Sequence, residues 1–251
     1  MSKGFRLTLT IAALALLSAC GGPQYPVRPG GGWTPSQPGE RPPAPVGGGT
    51  GLVDAPIDGR TRDRIGEVSA DFQQCHAELA SARVELTPVA DLDDGTGCAY
   101  AGAGTVDVDW GTVARLSPAA PLRRCEAALA LSVWRRQSVE PAAREILGSD
   151  VVQIDQMGAY SCRNVNGAAG GRRSAHARAN AFDVGGFRLR DGRRVTVADH
   201  WSGDSPEARF LRRIRDEACQ VYGTVLSPDY NAAHRDHLHL EVREGSWTMC
   251  R

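Results

Sequence analysis

The chain of 251 residues carries 29 basic and 29 acidic side chains, so its formal net charge is zero. This balance gives no support for a nucleic-acid partner, because binding to phosphates needs a surplus of lysine and arginine. The length suits one folded domain of ordinary size, together with short segments that do not belong to it.

Residues 1–20 are typical of an export signal. A short basic segment precedes an apolar run from Leu7 to Leu17, which is too short to cross a bilayer as a helix. The run ends in Leu17-Ser18-Ala19-Cys20, which resembles a bacterial lipobox. The resemblance implies that Cys20 becomes the first residue of the mature protein and carries a lipid that binds the membrane. Gly21 resembles the outer-membrane sorting pattern, whereas an ordinary secretory signal with an accidental cysteine is the alternative.

Residues 21–58 are interpreted as a flexible linker. Eighteen of the 31 residues from 21 to 51 are glycine or proline. Such a segment buries too little apolar surface to offset the entropy lost on ordering. A spacer of this kind would let an anchored protein reach a polymer away from the membrane. Residues 59–251 then form the folded domain.

Regular structure is predicted first between residues 105 and 157. Thr105–Trp110 alternates apolar and polar residues, which is typical of a half-buried strand. Arg123–Arg136 has small and apolar residues at helical spacing. Pro141 is predicted to open a second short helix that Gly148 stops. Val151–Met157 has the composition of a strand.

The C-terminal part continues the alternation of strands and helices. Asp191-Gly192 is a turn signal between two short apolar runs and predicts a hairpin. Ser205-Pro206 favours a helix start, and the apolar stripe of that helix consists of Phe210, Leu211, Ile214 and Ala218. Val221–Leu226 and His237–Val242 are predicted as the last strands. The whole pattern indicates an α+β domain with a mainly antiparallel sheet and flanking helices.

Six cysteines remain when Cys20 is set aside, and an even number in an exported chain predicts disulfide bonds. None of them forms a Cys-x-x-Cys pair, which argues against a cysteine zinc site. Six cysteines allow 15 pairings, and the sequence does not choose among them. Pairing of sequence neighbours is favoured here, and it gives Cys75–Cys98, Cys125–Cys162 and Cys219–Cys250.

Residues 174–183 and 234–242 concentrate side chains that bind metal ions, including four of the six histidines. In a strand, alternation would place Leu238, Leu240 and Val242 toward the core, and His237, His239 and Glu241 toward the other side. Asp183 suits the end of another strand, and His176 suits a loop or short helix that folds back over it.

Two imidazoles and one carboxylate, with a fourth position open to water, are a common catalytic zinc arrangement. A single histidine on a strand is more often a packing residue, and His-x-His alone is a weak signal. The occurrence of both segments in one exported chain is more specific.

The pattern S-x-H-x(4)-A-x-D followed by H-x-H resembles a group of metallopeptidases. The group includes D-alanyl-D-alanine carboxypeptidases, murein endopeptidases and the hedgehog signalling domain. The resemblance implies a fold of that kind and a zinc ion bound by His176, Asp183 and His239. It further implies hydrolysis of an amide bond in peptidoglycan. Ala179 departs from the pattern, because these enzymes usually have glycine at that position.

Residues from roughly 70 to 250 also resemble the bacterial extensin-like C-terminal family. The shared features are the segment Tyr160-Ser161-Cys162-Arg163, a buried tryptophan at Trp201 and the ending Asp236-His237-Leu238-His239. This family is characterised mainly through its similarity to the same peptidases.

The identity of the general base stays open at this stage. The carboxypeptidases carry glutamate three residues before the last zinc ligand, where this chain has the shorter Asp236. Murein endopeptidases use histidines near this position, which His234 and His237 match. The resemblance implies that Asp236 or His234 accepts the proton of the attacking water, and that His237 orients the site or stabilises the tetrahedral intermediate.

Arg163 and Ser174 are the remaining polar residues of interest. Arg163 matches an arginine that follows a strand in related enzymes, and it would hold a substrate carboxylate or the developing oxyanion. A structural ion pair beside a disulfide is the alternative for Arg163. Ser174 is interpreted as positioning its loop or forming a hydrogen bond near the metal, rather than as attacking the substrate.

The sequence therefore predicts a lipid-anchored periplasmic zinc peptidase whose partners are peptidoglycan peptides. The outer membrane is the expected site of anchoring, through Cys20. The alternative is a non-catalytic wall-binding or envelope-structural lipoprotein that retains the fold. The presence of all three zinc ligands favours the enzyme.

Overall fold

A computed structural model describes residues 51–242 and 247–251. The predicted lipidation of Cys20 and most of the predicted linker lie outside the described residues. Within them, no helix combines the length and the apolar character needed to cross a membrane. The first element of the described residues is a 3₁₀ turn, Leu52–Asp54, in which Val53 is fully buried. The last residues of the segment 21–58, which was interpreted as a flexible linker, therefore already contribute Val53 to the core.

Two helices and two small antiparallel sheets form the first part of the fold. The helices are α1 (Thr61–Ser69) and α2 (Phe72–Ser81). Asp71 caps α2 by accepting a hydrogen bond from the N–H of Gln74 at 2.9 Å. The strands that follow are β1 (Val84–Pro88), β2 (Leu92–Asp93), β3 (Ala99–Tyr100), β4 (Ala103–Asp109), β5 (Arg115–Ser117) and β6 (Leu122–Arg124). Strand β4 lies between β1 and β6, β2 pairs with β3, and β4 confirms the strand predicted from residue 105.

A long helix, buried along most of its length, follows β6. It comprises α3 (Cys125–Trp134), a π-helical segment (Arg135–Val139), α4 (Glu140–Ala142) and a second π-helical segment (Ala143–Leu147). The prediction that Pro141 opens a separate helix is wrong, because one continuous helix passes through the proline. The wider π-helical turns on both sides accommodate a residue that has no N–H to donate. Gly148 ends the helix as predicted, with a left-handed φ of 67°.

The main sheet has seven strands, of which β5 is the first along the chain. After β5, its strands are β7 (Val151–Gly158), β8 (Ala181–Leu189), β9 (Arg194–Thr196), β10 (Thr224–Leu226), β11 (Leu238–Glu241) and β12 (Met249–Cys250). The order is β12-β10-β11-β8-β7-β5, and β9 pairs with β8. Pairing is antiparallel except for β5 with β7 and β10 with β12. The predicted α+β class with a mainly antiparallel sheet is confirmed, as are the strand at residue 151 and the hairpin formed by β8 and β9.

The two helices after β9 are α5 (Val197–His200) and α6 (Pro206–Ala218). Ser205 caps α6 as predicted, since its hydroxyl accepts the N–H of Ala208 at 3.1 Å. The predicted apolar stripe of α6 is fully buried. It packs on the long helix, where the indole N–H of Trp134 donates to the carbonyl of Ile214 at 2.8 Å.

The register of β8 and β11 separates a core face from a polar face. Leu240 lies opposite Phe182 and both are buried in the core, whereas His239 lies opposite Asp183 on the other face. The alternation predicted for this strand is therefore confirmed. Asp183 is the third residue of β8, so the expectation that it ends a strand is wrong. The strand continues through Val184 and two glycines because glycine allows the backbone of β9 to approach closely at Gly186.

The three disulfide bonds are Cys75–Cys125, Cys98–Cys162 and Cys219–Cys250. The predicted number and the third pairing are confirmed, whereas the pairings Cys75–Cys98 and Cys125–Cys162 are wrong. Cys75 on α2 meets the first residue of α3 because these helices pack together, and both sulfurs are buried. Cys98 instead reaches the loop after β7. Packing between distant elements, rather than sequence proximity, decides both bonds.

Candidate metal centre

The three predicted zinc ligands converge at one point on the polar face of the main sheet. Their ligand atoms all lie within 4.8 Å of one another, and all three residues are buried. Nε2 of His176 lies 3.1 Å from Oδ2 of Asp183 and 3.3 Å from Nδ1 of His239. Nδ1 of His239 lies 2.9 Å from Oδ1 of Asp183. Residues 63 positions apart in the chain therefore form one cluster.

Two different local structures place the ligands. Asp183 and His239 lie opposite each other on the paired strands β8 and β11. His176 is on the 3₁₀ turn Ala175–Arg178, and the Ser174 hydroxyl at the start of this turn accepts the N–H of His176 at 3.3 Å. Ser174 thus positions the loop, as predicted. Ala179 ends the turn with φ of 54°, a left-handed conformation that glycine adopts more easily.

Hydrogen bonds outside the cluster determine which ring nitrogen faces it. Nδ1 of His176 lies 2.6 Å from the carbonyl oxygen of Ala159, so Nδ1–H donates there and Nε2 is the nitrogen that faces the cluster. Nε2 of His239 lies 3.4 Å from Oε2 of Glu241, which leaves Nδ1 as the inward nitrogen. This is the arrangement by which outer partners orient metal-binding histidines.

The electrostatics of the cluster favour a cation. Burial raises the pKa of Asp183, but hydrogen bonds from His176 and His239 outweigh burial and hold the pKa well below its ordinary value. Burial lowers the pKa of His239, but contacts with Asp183 and Glu241 outweigh it and raise the pKa to about 9. Asp183 is therefore ionised at neutral pH, and it stabilises positive charge at the point where the three ligand atoms meet.

The donor set fits zinc. Four ligands at zinc distances of about 2.0–2.2 Å in a tetrahedron lie about 3.3–3.6 Å apart. Nε2 of His176 and Nδ1 of His239 are 3.3 Å apart, which matches this spacing. Each of the two nitrogens lies about as close to one carboxylate oxygen of Asp183, at 3.1 Å from Oδ2 and 2.9 Å from Oδ1 respectively. Two imidazoles and one carboxylate match the ligand preference of catalytic zinc, and the three residues leave a fourth position free for water or substrate.

The predicted proton-transfer residues form a second group beside the cluster. Nδ1 of His237 donates to Oδ1 of Asp236 at 2.9 Å, and Nε2 of His237 lies 3.8 Å from Oδ1 of Asp183. The His234 ring is 5.1 Å from the His237 ring and 5.9 Å from the His239 ring, centre to centre. His237 thus stands between Asp236 and the cluster.

The protonation states of this second group differ. Burial, followed by the charge of His237, lowers the pKa of His234 to about 4. The hydrogen bond with His237 lowers the pKa of Asp236 despite some burial. At neutral pH His234 is therefore a neutral base, and Asp236 is an anion that orients the His237 ring.

Arg163 lies at the edge of the cluster. Its NH2 group is 3.8 Å from Oδ2 of Asp183, and its side chain remains 38% exposed. The neighbouring Cys162 is bonded to Cys98, so the predicted position of Arg163 beside a disulfide is confirmed. The guanidinium therefore pairs with the Asp183 carboxylate while its side chain stays partly exposed.

The cluster opens into a cavity of about 670 Å³. His234 and His237 line this cavity together with the three ligands, whereas Asp236 does not belong to the lining. Exposed Tyr230 lies at the rim and packs against His234 with ring centres 5.5 Å apart.

Sequence reasoning missed three supporting residues. Ala159 acts through its backbone carbonyl, which no side-chain pattern reveals. Asn231 accepts hydrogen bonds from Nδ1 of His234 at 2.8 Å and from the N–H of Ala233 at 3.0 Å. Asn231 caps the 3₁₀ turn Ala232–His234. An asparagine just before a short helical turn was the signal in the sequence that could have revealed this role. The alternation of the strand predicted that Glu241 shares a face with His239, but it did not predict that Glu241 orients the His239 ring.

The fold and the site together define an α+β domain with a buried His₂Asp centre that opens to a polar cavity. A family model described as "Extensin-like protein C-terminus" matches residues 73–251. The chain belongs to this family. No curated protein and no solved structure matched the chain.

Proposed function

We propose that the protein is a zinc-dependent hydrolase that cleaves an amide bond in the peptide stems or cross-links of peptidoglycan. The observation that carries the proposal is the buried donor set of His176, Asp183 and His239 beside an open cavity. The similarity of these motifs to those of D-alanyl-D-alanine carboxypeptidases and murein endopeptidases suggests the substrate class.

Zinc bound by these residues would polarise the amide carbonyl and lower the pKa of a water molecule. The chain contributes the surrounding groups. Arg163 lies at the edge of the cluster with a partly exposed side chain, and this position supports a role in binding the oxygen on which negative charge would develop. Ala159 and Glu241 keep the two ligand histidines in their orientations.

His237 is the proposed proton acceptor, oriented by Asp236. The Nδ1–H of His237 is occupied by Asp236, so Nε2 is the basic nitrogen and faces the cluster. This assignment gives Asp236 a positioning role in place of the direct role inferred from the sequence. His234 is the second candidate, because its Nδ1 is held by Asn231 and its ring lies beside both His237 and His239.

The proposed location is the periplasm, with a lipid on Cys20 attaching the protein to the outer membrane. The export signal, the lipobox-like motif and the Gly/Pro-rich segment support this proposal. The three disulfide bonds suit an oxidising compartment.

The test is incubation of the purified protein with muropeptides, with and without a chelator, followed by analysis of the products. We expect cleavage that a chelator abolishes and zinc restores. His237→Ala should retain zinc but slow hydrolysis by on the order of 100- to 10,000-fold, because a general base is lost. Asp236→Asn should slow it less, since only the orientation of His237 suffers.

Two results would change the proposal. Full activity of His237→Ala together with an inactive, zinc-loaded His234→Ala would assign the base to His234. Zinc-loaded protein that binds peptidoglycan but cuts none of the muropeptides would support the non-catalytic wall-binding alternative.

A further inference from the structure

One wall of the cavity is basic. Among the described residues that line the cavity, all four arginines come from the single segment 163–178. They are Arg163, Arg172, Arg173 and Arg178. The described lining residues from 224 to 249 include no arginine. The charge of the cavity is therefore strongly asymmetric.

The backbone of this segment is well fixed. Residues 163–174 fold back on themselves, with the Val165 N–H donating to the Arg172 carbonyl and the Ser174 N–H to the Arg163 carbonyl, both at 3.0 Å. Arg178 is two residues beyond the ligand His176 on the same 3₁₀ turn. The Cys98–Cys162 bond ties the start of the segment to the β2–β3 loop.

The four arginines have different tasks. Arg163 contacts Asp183 at the cluster. Arg173 is a brace, because its Nε and NH2 groups donate to Thr96 at 2.9 Å each and its NH1 donates to Asn164 at 3.2 Å. Arg172 and Arg178 are exposed, and no hydrogen bond or ion pair holds their side chains within the described part of the chain.

Two unpaired guanidinium groups on one wall favour an anionic ligand. A guanidinium binds a carboxylate through two parallel N–H···O bonds, which gives orientation as well as affinity. A cavity wall with one sign of charge also raises the local concentration of oppositely charged ligands. Since Arg163 is at the cluster and Arg173 is a brace, Arg172 and Arg178 are available for a carboxylate that is not at the scissile bond.

We propose that Arg172 and Arg178 determine specificity by binding a second, internal carboxylate of the peptide substrate. This inference rests on the proposed function, because it takes the substrate to be a peptidoglycan stem. It predicts a preference for stems whose internal carboxylates are free over stems in which they are amidated. The scissile end of the peptide lies at the cluster, and the acidic residues upstream of it lie along the basic wall.

The experiment measures equilibrium binding by calorimetry, with a chelator present so that no metal-dependent hydrolysis occurs. The two probes are a pentapeptide stem with free internal carboxylates and the same peptide with those carboxylates amidated, both with a free C-terminus. The proteins are the wild type, the double variant Arg172→Gln/Arg178→Gln and the control Arg209→Gln. Arg209 is an exposed arginine on α6 outside the cavity lining.

We expect the wild type and the control to bind the free-acid stem roughly tenfold more tightly than the amidated stem. In the double variant this ratio should fall to about one, and high salt should reduce it in the wild type. Circular dichroism verifies the fold. If the double variant does not fold, each single variant is measured in the same way, and each should lose part of the preference.

Equal affinity of the wild type for both stems would overturn the inference, as would an unchanged ratio in the variants. Stronger binding of an oligogalacturonate than of the free-acid stem would overturn it in favour of an acidic polysaccharide. Hydrolysis with zinc is measured separately. Absence of hydrolysis with the binding preference intact would contradict the proposed function but not this inference.

Discussion

The orientation of single side chains determines what the cluster can bind. His176 and His239 present different nitrogens, Nε2 and Nδ1, because Ala159 and Glu241 occupy the opposite ring positions. Asp183 bridges both histidines through its two oxygens. A change in any of these partners would rotate a donor away from the shared point, so the three ligands act as a unit.

Replacement of His239 by alanine should therefore remove metal and activity together. We expect about one zinc per chain in the wild type and close to none in His239→Ala, because two donors alone bind zinc weakly. The measurement is metal analysis of protein dialysed against zinc. His76→Ala is the control, since His76 bonds to the carbonyl of Leu86 and does not line the cavity. A His239→Ala variant with unchanged zinc content would show that the ion binds elsewhere.

The stability of the metal-free protein should depend on pH in two directions. The pKa of His239 is raised to about 9, so its contribution is present near pH 6.5 and is lost as the pH rises toward 9. The pKa of His234 is lowered to about 4, so the unfolded chain binds a proton that the folded chain does not, and stability falls as the pH drops from about 6.5 toward 4. The two effects together place a maximum near pH 6.5.

Urea unfolding in the presence of a chelator, between pH 4 and 9, measures this dependence. His234→Asn should weaken the decline on the acid side, and His239→Asn should weaken the decline on the alkaline side. If both variants retain the wild-type pH profile, other groups control the stability.

At the scale of elements, the segment between β7 and β8 carries the arginines of the cavity and one of the three residues of the cluster. Residues 159–178 contribute Ala159, Arg163, His176 and the remaining arginines of the basic wall. This segment contains little regular structure, so the Cys98–Cys162 bond and the Arg173 brace supply the connections that helices and strands supply elsewhere. The two connections join it to the same β2–β3 loop.

Removal of Cys98–Cys162 should affect the site more than the fold as a whole. In the Cys98→Ser/Cys162→Ser variant we expect faster amide hydrogen exchange in residues 159–178 and weaker zinc binding. The matched variant Cys75→Ser/Cys125→Ser should lose about 2–4 kcal/mol of global stability, because its bond joins two core helices. Similar exchange rates in residues 159–178 of both variants would contradict this division of roles.

At the scale of the whole molecule, one core supports both the small and the large sheets. Nine of the ten residues of α3 are buried, and the helix from Cys125 to Leu147 packs against α1, α2 and α6. The cluster of His176, Asp183 and His239 lies on the opposite face of the main sheet from the Phe182 side chain, so the core and the candidate site share strands but not surfaces.

The proposed anchor gives a prediction for the intact protein. The wild type should sediment with membranes, whereas Cys20→Ser should be released into the soluble fraction, because the lipid attaches to the cysteine thiol. Fractionation followed by mass spectrometry of the N-terminal peptide measures both the location and the modification. Membrane binding of Cys20→Ser equal to that of the wild type would contradict lipidation at this residue.

Local sequence patterns determined much of the fold and most of the site. Strand β4, the hairpin of β8 and β9 and the capped helix α6 follow from periodicity and turn chemistry, which act over a few residues. The clustering of His176, Asp183 and His239 was predictable because Asp183 and His176 share one short segment and His239 lies on a strand with clear alternation. Such patterns survive folding when tertiary contacts do not oppose them.

Only the tertiary structure decided the remaining features. Two disulfide pairings, the passage of the helix through Pro141 and the position of His237 between Asp236 and the cluster depend on contacts between distant segments. The collection of four arginines on one cavity wall likewise becomes visible only when residues 163–178 face residues 224–249. The physical reason is that propensity and alternation specify local backbone geometry, whereas these features arise from which surfaces pack together.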